Sequence, residues 1–284
     1  MNNWLLLDVN YLAYRALHST GKLSFQDNPT GVLYGVISEA VRCMERFQTR
    51  QVCWCFDYGK PKRLQALPTY KATRKTKRKE ATAEEKQTHR EMKFQLHALR
   101  TEVLPELGFR NVFAAAGFEA DDVIASLVNS IPDPHRSIMV SSDEDLYQLL
   151  GNRCVLWNPH KQQIVNDTSF FNDYGISCRS WPVVKALAGC SSDDVPGLSG
   201  VGEKTAIKYL RAELKHGTKT ADKFDDAEEV LKRNLPLVSL PYEGCPVFKR
   251  KRDKVTRATW TAVMERYGFH SLIRSAPVGP SLRC

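Results

Sequence analysis

The 284-residue chain lacks most of the short signatures that carry familiar chemistry. No Gly-x-Gly-x-x-Gly follows a candidate strand, and no Gly-x-x-x-x-Gly-Lys-Ser/Thr occurs, so dinucleotide and P-loop nucleotide cradles are missing. There is no Gly-x-Ser-x-Gly nucleophile elbow. The eight cysteines (43, 53, 55, 154, 178, 190, 245, 284) form no Cys-x-x-Cys, and the seven histidines are scattered, which argues against a zinc site. No apolar run nears the roughly 18 residues a membrane span needs. Met1 to Asp8 holds one short apolar run without a basic flank, unlike a signal peptide. Reduced structural thiols in a cytoplasmic protein are the expectation.

Charge is present but unevenly placed. The chain's net charge is +9, and residues 59–100 carry all of that excess, with 13 basic residues against 4 acidic ones. A neutral body with one basic arm fits a polyanion held in one place, although a solvated helical face would look the same.

Short apolar runs alternate with helical periodicity. Trp4–Leu7, Val52–Phe56, Val112–Ala116, Ser137–Val140, Cys154–Trp157 and Gln163–Val165 read as strands. Helices are expected over 30–47, 83–107, 120–130 and 146–150. This alternation argues an α/β fold with a doubly wound, mostly parallel sheet. After about residue 168 helical pieces dominate (180–188, 203–214, 227–234, 258–267). They are interrupted by the glycine-rich loop Gly197-Leu-Ser-Gly-Val-Gly202. A body over 1–167 and a mainly helical part over 168–284 are expected, with the tail after Ala276 frayed.

The acids fall where the strands end. Asp8 and Asp57 close the first two strands; Glu119, Asp121 and Asp122 follow the third; Asp143 and Asp145 follow the fourth. In an open parallel sheet, ligands bind beyond the carboxyl ends of the strands. Singly, each acid could cap a helix. Together they would repel one another, and a hard divalent cation such as Mg²⁺ or Mn²⁺ relieves that repulsion. Two such ions about 4 Å apart clamp an in-line phosphoryl displacement.

Six segments in order over residues 4–245 resemble the flap endonuclease/5′→3′ exonuclease family. That family includes bacteriophage 5′ nucleases and the amino-terminal nuclease domain of bacterial DNA polymerase I. The segments are Leu7-Asp8-Val9-Asn10 with Arg15; Phe56-Asp57; Arg63 with Leu67-Pro-Thr-Tyr70-Lys71-Ala-Thr-Arg74; Gly117-Phe-Glu119-Ala-Asp121-Asp122; Ser142-Asp143-Glu-Asp145; and Lys185-Ala-Leu-Ala-Gly189, continuing to Asp193-Asp194-Val-Pro-Gly197 and Gly200-Val-Gly202-Glu-Lys204-Thr205. The resemblance implies a PIN-like α/β fold with a helical arch over about 59–100 and a helix–turn–helix DNA-binding part. It implies a Mg²⁺- or Mn²⁺-dependent hydrolase for DNA with 5′ ends, flaps or branches, in DNA replication and repair. It assigns Asp8, Asp57, Glu119, Asp121 and Asp143 to a first metal cluster. Asp122 and Asp145 fall at or beside the ions, with Asp145 leaning to the second, and Asp193 is a further metal residue, fitting the second aspartate of the family's Gly-Asp-x-x-Asp pattern. Lys71 and Arg74 would act on the scissile phosphate and Tyr70 would stack on a base. Arg15, Gly200, Gly202 and Lys204 would contact DNA, and the carbonyls of Leu198 and Val201 would hold K⁺. Any polymerase would be a separate partner, no membrane is involved, and the chain would act as a monomer in a bacterial or phage-infected cell.

One position departs from the family's Gly-Asp-x-x-Asp pattern. The aligned stretch is Gly189-Cys190-Ser191-Ser192-Asp193, so Cys190 stands at the first aspartate. A thiol is a poor Mg²⁺ ligand. A weak second site is therefore expected, better filled by Mn²⁺ than by Mg²⁺, unless a one-residue shift lets Asp193 or Asp194 serve, or Cys190 is an ordinary buried thiol. A structure-specific DNA-binding module with weak or lost catalysis stays open as the alternative, as does a nuclease acting mainly on RNA in hybrids.

Overall fold

In the computed structural model, which describes residues 3–132, 134–215 and 217–278, a six-stranded sheet positions everything else. Its strands are β1 (Asn3–Asp8), β2 (Gln51–Cys55), β3 (Val112–Phe113), β4 (Arg136–Val140), β5 (Cys154–Asn158) and β6 (Gln163–Val165), in the spatial order β3-β2-β1-β4-β5-β6. All neighbours pair parallel except β5 and β6. Register is set around β1, with Leu6 opposite Cys53 on one side and Met139 on the other. The strand order reverses at β1, where chain crossings leave to both sides and open a crevice at the carboxyl ends.

Both faces of the sheet are covered, which is why the central strands read as unbroken apolar runs. Leu5, Leu7, Trp54 and Val140 face one core, shared with α1 (Val9–Ser19), α2 (Gly31–Arg46) and Trp260, Val263 and Met264 near the carboxyl end. Leu6, Cys53, Cys55 and Met139 face the other, shared with the helix Ala120–Ser130 and with Phe170, Trp181 and Val184. Residues beyond 167 thus contribute to both cores.

Several elements differ from expectation for identifiable reasons. The helix after β1 carries its apolar positions (Val9, Leu12, Ala13, Ala16) among polar ones, and Asp8 starts it by accepting from the Tyr11 N–H. The helix expected over 83–107 runs regularly over Ala83–Ala98 and then widens into a π-turn, Leu99–Val103. Pro105 follows directly and has no N–H for the preceding turn. The expected helix over 146–150 is a 3₁₀ turn, Glu144–Leu149. Helix Ala72–Glu80 has no buried residue at all, so it shows no apolar stripe to read. The helix expected over 203–214 ends at Leu210. The tail after Ala276 is described only to residue 278; the rest of that expectation lies outside the described residues. Among the described residues no helix is long and apolar enough to cross a membrane.

Candidate active site

Strand ends and helix starts coincide at the crevice, so several acids serve twice. Asp8 caps α1 and also accepts from Ser141 Oγ at 2.8 Å. Asp57 Oδ1 accepts from the Ala120 N–H at 2.8 Å, tying β2 to the start of the next helix. Asp143 accepts from the Asp145 N–H at 2.8 Å. The capping reading of these acids is therefore correct as far as it goes, and it does not use up their oxygens. Asp8, Asp57, Glu119, Asp121, Asp143, Asp145 and Asp193 line one cavity of about 180 Å³.

Their electrostatics record the crowding. Burial raises Asp8 to about 7 against the Tyr11 N–H, with Asp57 and Asp143 adding. Burial, then Asp145, raises Asp143 to about 6. Asp121 is pushed well up by burial and by Asp143, Asp8 and Asp57, and its Oδ1 is buried without a partner. Asp57 is also raised, chiefly by its enclosure. A buried carboxylate oxygen without a hydrogen-bond partner, on a residue that feels the charge of Asp143, Asp8 and Asp57, is a fit for a divalent ion.

The opposite wall is basic. Lys71 Nζ contacts Glu119 Oε1 and lies 3.7 Å from Asp193, and Arg74 Nη2 meets Asp193 Oδ1 at 2.7 Å. Burial alone would raise Glu119, but Lys71 and Arg63 outweigh it and hold it below its ordinary value. Asp193 stays raised, because burial exceeds the pull of Lys71 and Arg74. Lys71 sits at φ +55°, a left-handed conformation uncommon for lysine, and its N–H donates to the Asp193 carbonyl at 2.9 Å. Asp194 caps the helix that follows by accepting from the Thr73 N–H at 2.8 Å. Asp194 therefore caps the helix Ala72–Glu80, whereas Asp193 lines the cavity.

Three expectations are corrected. Asp122 is fully buried and does not line the cavity. Arg63 engages both of its oxygens at 2.7 and 2.8 Å, and the Tyr242 and Glu119 N–H groups take the remaining positions. It anchors the site and has no lone pair left for an ion. Tyr70 is only 3% exposed, with its hydroxyl 2.7 Å from Glu119 and 3.1 Å from Asp193. It locks two acids in place and offers no face to a base. Arg15 pairs with Glu39 at 3.1 Å and lines neither this cavity nor the next; Tyr14 lines both.

A second cavity, about 400 Å³, shares Asn10, Tyr14, Asp57, Tyr70, Lys71, Arg74 and Glu119 with the first. Its other walls include Tyr58, Lys75, Arg78, His89, Lys93 and Arg100. Arg100 stacks over Tyr58 at 4.2 Å, and Tyr14 stacks with His89. This is the basic segment of the sequence, folded against the acid cluster.

The glycine loop lies elsewhere. Gly200 has φ +66° and its carbonyl accepts from Lys223 Nζ at 3.0 Å. Gly202 starts the helix Glu203–Leu210, and Lys204 is exposed on it. Leu198 and Val201 are buried, and the Leu198 carbonyl accepts from the Val201 N–H at 3.1 Å. Positioning residues that sequence reasoning left without a role are Arg63, Ser141 and Lys185, which bridges Asp145 and Glu203 at 3.1 Å each. Both Arg63 and Lys185 stood inside motifs, which was the available signal.

Residues 3–175 match the family model for the 5′-3′ exonuclease, N-terminal resolvase-like domain. The 5′-3′ exonuclease of Bacillus subtilis is 31% identical over 220 residues, 74% of this chain and 70% of that protein. DNA polymerase I of Mycobacterium leprae is 31% identical over 217 residues, 72% of this chain, and the chain spans only 22% of that protein's length. The solved structure of the T5 5′-exonuclease with bound zinc superimposes with a TM-score of 0.72 at 23% identity, covering 97% of this chain and 99% of that one.

The crowded carboxyls make stability depend on pH in a stated direction. In the folded chain Asp8 and Asp143 keep protons up to about 7 and about 6, where the unfolded chain has released them. The metal-free fold therefore loses stability as pH rises through that window and is spared below it. Asp121→Asn removes the unmatched charge. Its stability in EDTA at mildly alkaline pH should rise by on the order of 1–3 kcal/mol, with a higher melting point and a flatter pH profile. Thermal melts across pH check this; a variant that melts lower and keeps the full slope contradicts it.

Proposed function

Because the chain belongs to the 5′–3′ exonuclease family, we propose that it is a structure-specific 5′ nuclease hydrolysing DNA phosphodiesters with Mg²⁺ or Mn²⁺. The observation that carries this reading is the shared wall between the acidic cavity and the basic, aromatic-lined one. A phosphodiester strand lying in the second would present a phosphate to the first.

Asp8, Asp57, Glu119, Asp121 and Asp143 would hold one ion, and Asp145 with Asp193 a second. Such ions supply Lewis-acid polarisation of the phosphodiester and activation of water. The chain's own groups do the rest. Lys71 and Arg74, now turned onto Glu119 and Asp193, stand where they can neutralise a phosphate oxygen. Tyr70 and Arg63 fix Glu119, and Ser141 fixes Asp8, so that the acids keep their positions as charge enters and leaves. The exposed helix Ala72–Glu80 presents its lysines and arginines to a single strand passing beneath it. Gly200, Gly202 and Lys204 would meet the duplex backbone, reading shape and charge and not sequence. The loop carbonyls of Leu198 and Val201 remain the proposed K⁺ position. In this division residues 1–167 carry most of the chemistry, joined by Asp193, and 168–284 the duplex grip. A separate DNA polymerase would be its partner, and action as a cytoplasmic monomer completes the proposal.

Two outcomes are expected. Cleavage of a 5′-flap duplex should need Mg²⁺ or Mn²⁺ and stop in EDTA, and Asp57→Asn should slow it at least ~100-fold, about 3 kcal/mol of electrostatic stabilisation. Equal cleavage in EDTA would refute the metal reading. Lys204→Ala should weaken binding to all sequences alike and lower the salt slope by about one counterion, measured by fluorescence anisotropy at several salt concentrations. An unchanged slope would move the duplex grip away from the glycine loop.

A further inference from the structure

The second metal position holds a donor that the pattern of acids does not include. Cys190 Sγ and one oxygen each of Asp145 and Asp193 lie within 4.8 Å of one another. Cys190 is held there by a short antiparallel pairing with Val195, and its Sγ is 3.1 Å from Ser192 Oγ. It is 7% exposed, yet of the seven described cysteines it alone lines the acidic cavity. Asp121, which lines the same cavity, carries a buried Oδ1 without a hydrogen-bond partner, a further sign that a cation belongs at this cavity. Cys190 packs with Val195, Leu237 and Val238 as a buried thiol commonly does, but its sulfur also shares its space with the carboxylates of Asp145 and Asp193.

We propose that Cys190 is a direct ligand of the second ion, and that Asp145, Asp193 and Cys190 form a mixed oxygen–sulfur site selecting borderline ions such as Co²⁺ or Zn²⁺ over Mg²⁺. The inference rests on the metal-nuclease reading and deepens it. Binding exchanges one proton for one ion: the Cys190 S–H bond gives its proton to solvent as the sulfur–metal bond forms. Soft sulfur donors favour ions later in the first transition row, whereas Mg²⁺ prefers oxygen throughout. Lys185 on Asp145 and Arg74 on Asp193 offset part of the site's negative charge, so the charge count stays close to that of an ordinary carboxylate site. Cys190 is then a residue that sets metal specificity, and the weak Mg²⁺ site expected from the sequence becomes a site tuned to other ions.

The test uses the full chain, stripped with EDTA and titrated with Co²⁺ alone. Wild type should develop a sulfur-to-cobalt charge-transfer band in the near ultraviolet that saturates with the second equivalent bound. Cys190→Ser and Cys190→Ala should lose the band and bind Co²⁺ at that position at least about tenfold more weakly. Cys190→Asp should lose the band but gain Mg²⁺ affinity by a similar factor, measured by calorimetry. Melting curves of all four proteins identify any variant that fails to fold, and the serine and alanine variants back each other. A band of equal strength in wild type and both variants would assign it to another thiol and overturn the proposal. Co²⁺ bound without any band in wild type would also overturn it, while leaving the metal-nuclease reading in place. No Co²⁺ bound at all would overturn both.

Discussion

Repulsion among carboxylates at the ends of parallel strands is the constraint on which the rest of the molecule depends. The sheet order brings Asp8, Asp57, Asp121 and Asp143 to one edge, where they line a single cavity. Burial pushes the protonation of Asp8 and Asp143 into the neutral range. A fold selected for stability alone would avoid such crowding, since unpaired buried charge is costly. Its retention makes sense if cations complete the site.

Two kinds of cation answer this charge. The chain supplies its own at the rim, through Lys71 and Arg74 on Glu119 and Asp193 and Lys185 on Asp145. At the centre, among the described residues, no basic side chain meets Asp121 Oδ1, which remains without a partner. This division separates structural from functional ion pairs. Arg63 with Asp122 is the structural extreme, a fully satisfied buried fork that ties the helix Ala120–Ser130 to the base of the arch. The rim pairs are more open, Arg74 being 49% exposed, and a phosphate can compete for them.

Much of this was legible in the sequence, and the parts that were not have physical reasons. Buried parallel strands announce themselves as apolar runs, and acids at their ends are counted without any structure. Direction is another matter. Asp121 and Asp122 are adjacent, yet one helical step of about 100° sends the first into the cavity and the second onto Arg63. Likewise Asp193 and Asp194 part company because Asp194 adopts φ +57°. The role of Tyr70 depends on two acids 49 and 123 residues away, which no local pattern carries. Helix Ala72–Glu80 buries nothing, so hydrophobic periodicity could not reveal it. Cys190, by contrast, was visible as a departure from a pattern, and its sulfur lies within 4.8 Å of an oxygen of Asp145 and of Asp193.

The central claim is that this carboxylate cluster is a two-ion centre. Anomalous diffraction from crystals of the protein soaked in Mn²⁺ tests it most directly. The account predicts two Mn²⁺ peaks, one among Asp8, Asp57, Asp121 and Asp143 and one against Asp145, Asp193 and the Cys190 sulfur. Density confined to the surface, with the cavity free of manganese at saturating concentration, would contradict it.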